Sequence, residues 1–340
     1  MIQEQELQNS KKKGFIAILI SIVLVVAIFI ALEQSDHAHL YETLSKADPL
    51  YLFFSCISMS LAFLGMGLRW RALMPCSPPV LPLSGIVCAG LLLNYATPGP
   101  LGEVAAAYFA SQRYPLSLSQ ALASGIIARV IGLISAALIG ACIWFFFPIS
   151  VSPELLIPIQ MISIFCLGIG AGLFILLFFA SFWTSLTQKI TQSMQQSTGW
   201  KRKIQKALEA ILQLCQDASS LSSTPQSSYI GAVFWSLFSH SSVILGIVFL
   251  VLSMQANVYL TGIIFTYAVT TAGAVLLFAL PGSYIGWDAL FLGLLLSTSQ
   301  LTQTESFAIV GIVRLQQLSY MLLGGISLNW LIKPNSKPKT

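Results

Sequence analysis

Residues 15–32, FIAILISIVLVVAIFIAL, carry no charge, and apolar runs of this kind recur along the chain. No other feature restricts the fold as much. Hydrocarbon offers no water to an open backbone, so a continuous run of roughly 20 such residues crosses a membrane as an α-helix, whose N–H and C=O groups pair internally. Charge is scarce throughout: 9% of the 340 residues are charged and 56% hydrophobic, against about 25% charged in a soluble domain. The chain therefore reads as an all-α polytopic membrane protein. Further helices are expected at 50–68, 118–147, 155–180, 228–253 and 304–332. Lys11-Lys12-Lys13 precede the first run and no A-x-A-like site follows it, so this run is expected to remain as an anchor rather than be cleaved as a signal peptide.

Two places break the pattern. Pro98-Gly99, followed by Gly102 and Glu103, separates apolar segment 81–96 from the short segment 101–112. Pro281-Gly282, followed by Gly286 and Asp288, separates 259–279 from 285–298. A helix over 101–112 is only about 18 Å long at ~1.5 Å per residue, too short for roughly 30 Å of hydrocarbon. Each pair is therefore expected to form a re-entrant hairpin, acceptable at membrane depth where protein or a wet cavity covers the broken backbone.

The distribution of basic residues supports this count. With the N-terminus in the cytoplasm, six full crossings and two hairpins leave 14 of the 17 Lys and Arg on the cytoplasmic side. Lys46 alone falls outside, and Arg129 and Arg314 lie within helices. If 81–96 crossed without return, the basic segment 184–217 would move outside, against the positive-inside rule. The expected organisation is a cytoplasmic N-terminus (1–14) and a first membrane half (15–180) with a re-entrant hairpin at 81–112. A cytoplasmic basic amphipathic helix and Ser-rich linker (181–227) follow. A second membrane half (228–332) with a hairpin at 259–298 and a cytoplasmic tail (333–340) complete the chain. The basic helix, with Lys201-Arg202-Lys203 and Lys206 beside Ile204, Leu208, Ile211 and Leu212, suits an anionic leaflet.

The two hairpins enter from opposite faces in this scheme, and they are copies. Glu103 precedes Arg129 by 26 residues, as Asp288 precedes Arg314; Gly140 follows Arg129 by 11, as Gly325 follows Arg314. One offset of 185 superimposes acid, arginine and glycine, while the Pro-Gly pairs need 183. An inverted repeat with broken helices near the midplane is an architecture of alternating-access transporters.

These residues carry a resemblance. Pro98, Gly99, Gly102 and Glu103 with Ala121, Ala128 and Arg129, then Pro281, Gly282, Gly286 and Asp288 with Ala308 and Arg314, are similar to the transmembrane region of bacterial lysylphosphatidylglycerol synthases. Arg69-Trp70-Arg71 also resembles the basic-aromatic end of an early helix in that family. The similarity runs from about residue 15 to 332 and implies a flippase-like, lipid-translocating membrane domain. Relatives often carry an arginine three residues after the first acid, where this chain has Ala106, which counts against a strongly anionic headgroup. The chain stops at Thr340 with no soluble aminoacyl-transferring domain, so synthase activity is not expected.

Four residues are candidate lipid headgroup contacts: Glu103, Arg129, Asp288 and Arg314. An acid at a helix start caps free N–H groups and suits the helix dipole, and an acid–arginine pair in each repeat would satisfy both charges. Ionisable groups within a bilayer also mark pathways, and a guanidinium binds phosphate bidentately. Both readings stand at this point. His240 is expected to pack, satisfied by neighbouring serines, and Arg69, Trp70 and Arg71 to anchor a helix end at the membrane surface. The six cysteines show no CxxC or metal spacing, no hydrolase, P-loop or zinc motif occurs, and no cofactor, metal site or catalytic residue is expected. A net charge of +5 follows from topology and needs no nucleic acid. The reading is a non-enzymatic, multi-pass inner-membrane protein with both termini cytoplasmic. It would move a phospholipid or polyprenyl-linked lipid between leaflets. The alternative is a non-transporting accessory subunit partnering an enzyme of lipid or cell-envelope glycoconjugate synthesis.

Overall fold

The computed structural model describes residues 45–96, 101–149, 226–277 and 283–331, with Glu42 and scattered positions from 151 to 168. The expected crossings 15–32 and, for the most part, 155–180 lie outside the described residues, as do the segment 184–217, Pro98-Gly99 and Pro281-Gly282. Eight helices and no strand occur among the described residues. They are α1 (Pro49–Leu73), α2 (Val80–Ala96), α3 (Leu101–Arg113), α4 (Leu118–Phe146), α5 (Gln226–Ser253), α6 (Leu260–Leu277), α7 (Ser283–Thr298) and α8 (Gln303–Leu331). Four of them, α1, α4, α5 and α8, contain stretches long and apolar enough to cross a membrane, while α2, α6 and α7 offer only shorter ones.

Local chemistry fixes several helix starts. Asp48 accepts the Leu50 N–H at 2.8 Å, and Pro49, with no N–H to orphan, opens α1. Ser117 and Gln120 form a capping box on α4: the hydroxyl accepts the Gln120 N–H and the amide oxygen accepts the Ser117 N–H at 2.9 Å. Thr302 and Glu305 do the same on α8, the carboxylate accepting the Thr302 N–H at 2.8 Å. The two boxes stand 185 residues apart. Their helices, 29 residues each, begin and end at the same offset.

Interior and exterior are sorted for lipid rather than water. Hydroxylated residues share the interior with large apolar ones: Ser55, Ser124, Ser236 and Thr266 are fully buried, as are Phe265 and Phe291. Large apolar side chains point outward, Phe146 77% and Ile230 70% exposed. Small residues let helices approach closely where lipid tails supply no hydrophobic drive, and hydroxyls add hydrogen bonds. The central pair, α1 and α5, shows both devices. Ser55 donates to the Gly246 carbonyl at 2.8 Å and Ser239 to the Ala62 carbonyl at 2.9 Å. These helices run antiparallel, since the Asp48 N–H meets the Ser253 carbonyl at one end and Ala72 lies against Gly231 at the other.

The remaining helices pack around this pair in corresponding ways. Helices α2 and α3 form an antiparallel hairpin, as do α6 and α7. The first helix of each hairpin packs along the long helix of the other half: α2 on α8, α6 on α4. Gly324 meets Cys88 and Ala89 in one contact, and Gly140 meets Ala268 and Val269 in the other. One expectation is corrected here. Helix α1 continues beyond residue 68, so Arg69 and Trp70 are not surface anchors. Trp70 is buried against α4 and donates its indole N–H to Ser124 at 3.0 Å.

Candidate functional site

The short helix α3 begins beside α2 because both positions of closest approach are glycine. A Cβ on Gly102 would collide with the Gly90 carbonyl and the Asn94 side chain. The first N–H groups of a helix have no partner within it. Here Asn94, buried in α2, accepts the Gly102 N–H at 2.7 Å, and this fixes its amide orientation. Its Nδ2 then donates to Glu103 Oε1 at 3.2 Å. Glu103 in turn pairs with Arg129 of α4, both side chains about a quarter exposed.

The second site has the same core and a denser surround. Arg314 Nε donates to Asp288 Oδ1 at 2.5 Å, with the two side chains 14% and 18% exposed. Its Nη1 donates to Gln317 Oε1 at 2.6 Å and to the Tyr95 hydroxyl. The guanidinium carbon lies 4.4 Å from the Trp287 ring centroid and 5.6 Å from that of Tyr95, within cation–π range. Trp287 is backed by Phe291, stacked at 4.6 Å. Tyr95 belongs to α2, so a residue of the first half holds the arginine of the second. Gly286, in the first turns of α7, is half-buried.

A cavity of about 170 Å³ lies between the halves, and both Arg129 and Arg314 border it. Its other polar edges are Tyr95, Tyr267, Thr271 and Gln317; methionine, leucine and phenylalanine side chains with Ala62, Val243 and Trp287 complete it. A second cavity, about 70 Å³, adjoins it through Met66, Leu91 and Arg129, and has Arg69 and Glu103 in its wall. The four expected site residues thus fall into two ion pairs, with Arg129 and Arg314 on the larger cavity and Glu103 and Arg129 on the smaller one.

His240 stands behind the larger cavity. Its Nε2 lies 2.8 Å from the Gly132 carbonyl, which can only accept, so Nε2 carries the proton and Nδ1, 2.9 Å from the Tyr267 hydroxyl, accepts from it. The residue packs, as expected, but a tyrosine and a carbonyl satisfy it rather than the flanking serines. Asn94, Tyr95, Gln317 and Arg69 were not anticipated at the site. Among the described residues no group of three or more His, Cys, Asp or Glu could hold a metal ion.

A protein-family model described as Lysylphosphatidylglycerol synthase TM region matches residues 14–325. The match covers both halves, both hairpins and all four paired charges. The chain belongs to this family. As a member of the lysylphosphatidylglycerol synthase TM region family, with four long apolar helices in its described part, it is a multi-pass integral membrane protein. No match to it was found among curated proteins or among solved structures.

Proposed function

We propose that this protein is a lipid transporter of the cell inner membrane, moving a phospholipid or polyprenyl-linked lipid between leaflets, and that it is not an enzyme. One observation carries the reading: a single cavity is bordered by an arginine from each half, Arg129 and Arg314, each on a long helix beside the start of a short one. A guanidinium there can receive a phosphate that enters from the side served by its own hairpin, while the acyl or prenyl tails stay in lipid.

The packing favours an inverted arrangement. A two-fold axis that exchanges two antiparallel helices such as α1 and α5 must run across them, in the plane of the membrane that they span. On this reading the α2–α3 hairpin re-enters from the cytoplasm, the α6–α7 hairpin re-enters from the opposite face, and both chain ends are cytoplasmic. The closed ion pairs favour a second reading, in which the charges are scaffold and the protein is a non-transporting accessory subunit.

Reconstitution separates the two. In vesicles carrying labelled phosphatidylglycerol or a labelled polyprenyl phosphate, the wild-type protein is expected to exchange label between leaflets. Arg129→Ala and Arg314→Ala should each abolish exchange while remaining folded and inserted. Wild-type rates in both folded variants would remove the arginines from transport, and absence of exchange by the wild type for every lipid would leave the accessory reading.

A further inference from the structure

The repeat extends into the central pair of helices, and there it breaks at one position. The donors Ser55 and Ser239 stand 184 residues apart, as do the acceptors Ala62 and Gly246. At the same offset Cys56, beside Gln316 of α8, corresponds to His240, beside Gly132 of α4. A thiol gains no positive charge from a proton, whereas a neutral imidazole gains one on taking a second ring proton. One half alone has such a group here. The symmetric hairpins do not require it, and the transport reading leaves it unused.

His240 also ends a hydrogen-bonded chain that begins at the larger cavity. Thr271 and Tyr267, one turn apart on α6, both border that cavity. The Tyr267 hydroxyl donates to His240 Nδ1 over 2.9 Å, and Nε2–H donates to the Gly132 carbonyl over 2.8 Å. Both side chains are buried. A proton delivered from the cavity can bond to the Tyr267 oxygen while the hydroxyl's own proton passes to Nδ1. The Nε2 bond is untouched, and the reverse sequence releases the proton.

The imidazolium so formed would stand among cations. Arg69 of α1 reaches Ser236, one turn before His240, and Arg129 of α4 lies one turn before Gly132. Tyr267 is the titratable group of α6, Arg314 of α8 borders the same cavity, and α5 itself offers only serines within a turn. The carboxylates Glu103 and Asp288 are engaged by Arg129 and Arg314. A further buried cation is costly unless an opposite charge accompanies it. An anion at Arg129 supplies that charge. We propose that His240 is a proton-binding site that fills when an anionic headgroup enters the cavity. Proton and lipid then move together, and a pH gradient drives net transport.

This inference rests on the headgroup reading of the cavity, and proton counting keeps its fate apart from that of transport. The full chain, purified in an uncharged detergent, is titrated calorimetrically with dihexanoylphosphatidylglycerol in buffers that differ in ionisation enthalpy. The phosphodiester stays ionised throughout, so any proton taken up goes to the protein. The wild type should take up a proton with the lipid. Its affinity should rise as pH falls, by at most about tenfold per pH unit. His240→Gln should bind with no uptake and no such slope. In vesicles an imposed pH gradient should accumulate labelled phosphatidylglycerol in one leaflet. Tyr267→Phe, which breaks the chain but spares the Nε2 bond, should lose this drive. Buffer-independent heat in the wild type, or failure to bind this lipid, overturns the proposal. So does uptake that persists in folded His240→Gln, which would place the proton on a carboxylate. Should His240→Gln fail to fold, an undiminished drive in Tyr267→Phe overturns it. Exchange indifferent to the gradient, without linked uptake, leaves transport standing and removes the inference; linked uptake without exchange keeps the proton site and removes transport.

Discussion

Glu103 and Arg129 are about a quarter exposed, Asp288 and Arg314 less than a fifth, and this difference sets what each pair contributes. Losing one partner of a desolvated pair leaves the other charge uncompensated. Glu103→Gln should cost about 1–3 kcal/mol, and Asp288→Asn should lie at the upper end or beyond, because its pair is drier. Double-mutant cycles with Arg129→Gln and Arg314→Gln, followed by thermal unfolding in detergent, should give coupling well above the roughly 0.5 kcal/mol scatter of independent sites. Additive losses would mean that acid and arginine serve different partners. These four residues were legible in the sequence because a charge inside an apolar run has no ordinary explanation. Arg69 was not, since an arginine–tryptophan–arginine triplet at the end of an apolar run is also how a membrane-surface anchor reads. Which way it faces depends on the register of α1 against α4, and that is a property of packing. Asn94 and Tyr95 were missed for the same reason: a polar residue at a helix end says nothing by itself about which neighbour it caps.

Glycine contacts and caps separate helices that tolerate change from those that do not. A Cβ on Gly102 meets backbone, which cannot swing aside, whereas one on Gly293 or Gly311 meets nothing within 4 Å. Gly102→Ala should therefore separate α2 from α3 and destabilise strongly. Gly293→Ala and Gly311→Ala should be neutral or stabilising by up to about 1 kcal/mol, the ordinary helix-propensity gain; melting curves of the three variants check this. If Gly102→Ala melts with the wild type, the α2–α3 contact is looser than described. The capping boxes make a second pair. Ser117→Ala and Thr302→Ala should each cost about 1 kcal/mol, and the double variant should show the sum. Helix positions were readable because hydropathy and Pro-Gly punctuation act locally. Of these caps, none was anticipated, although Ser117-x-x-Gln120 and Thr302-x-x-Glu305 carry the signal at the repeat offset.

At the scale of the whole molecule, equivalent loops should face opposite sides of the membrane. Pro115 and Gln300, both exposed, follow α3 and α7 at the same 185-residue offset. In a cysteine-free background, Gln300→Cys should react with an impermeant maleimide added outside intact cells and Pro115→Cys should not; cysteines at residues 5 and 336 should also be silent. Labelling of both loops, or of neither, would contradict the inverted arrangement. The repeat itself was legible from three residue spacings, but the exchange of partners between halves was not, because no spacing records which helix lies beside which. That exchange bears on how the protein is made. During synthesis α2 enters the membrane long before its neighbour α8 exists, so its small-residue face must wait, uncovered or covered by lipid, until the ribosome has passed residue 303. Neither half is expected to mature alone. Two separately expressed pieces, divided between residues 217 and 225, should be degraded singly and rescued together, and two intact chains that traded halves would keep the helix contacts described between the halves.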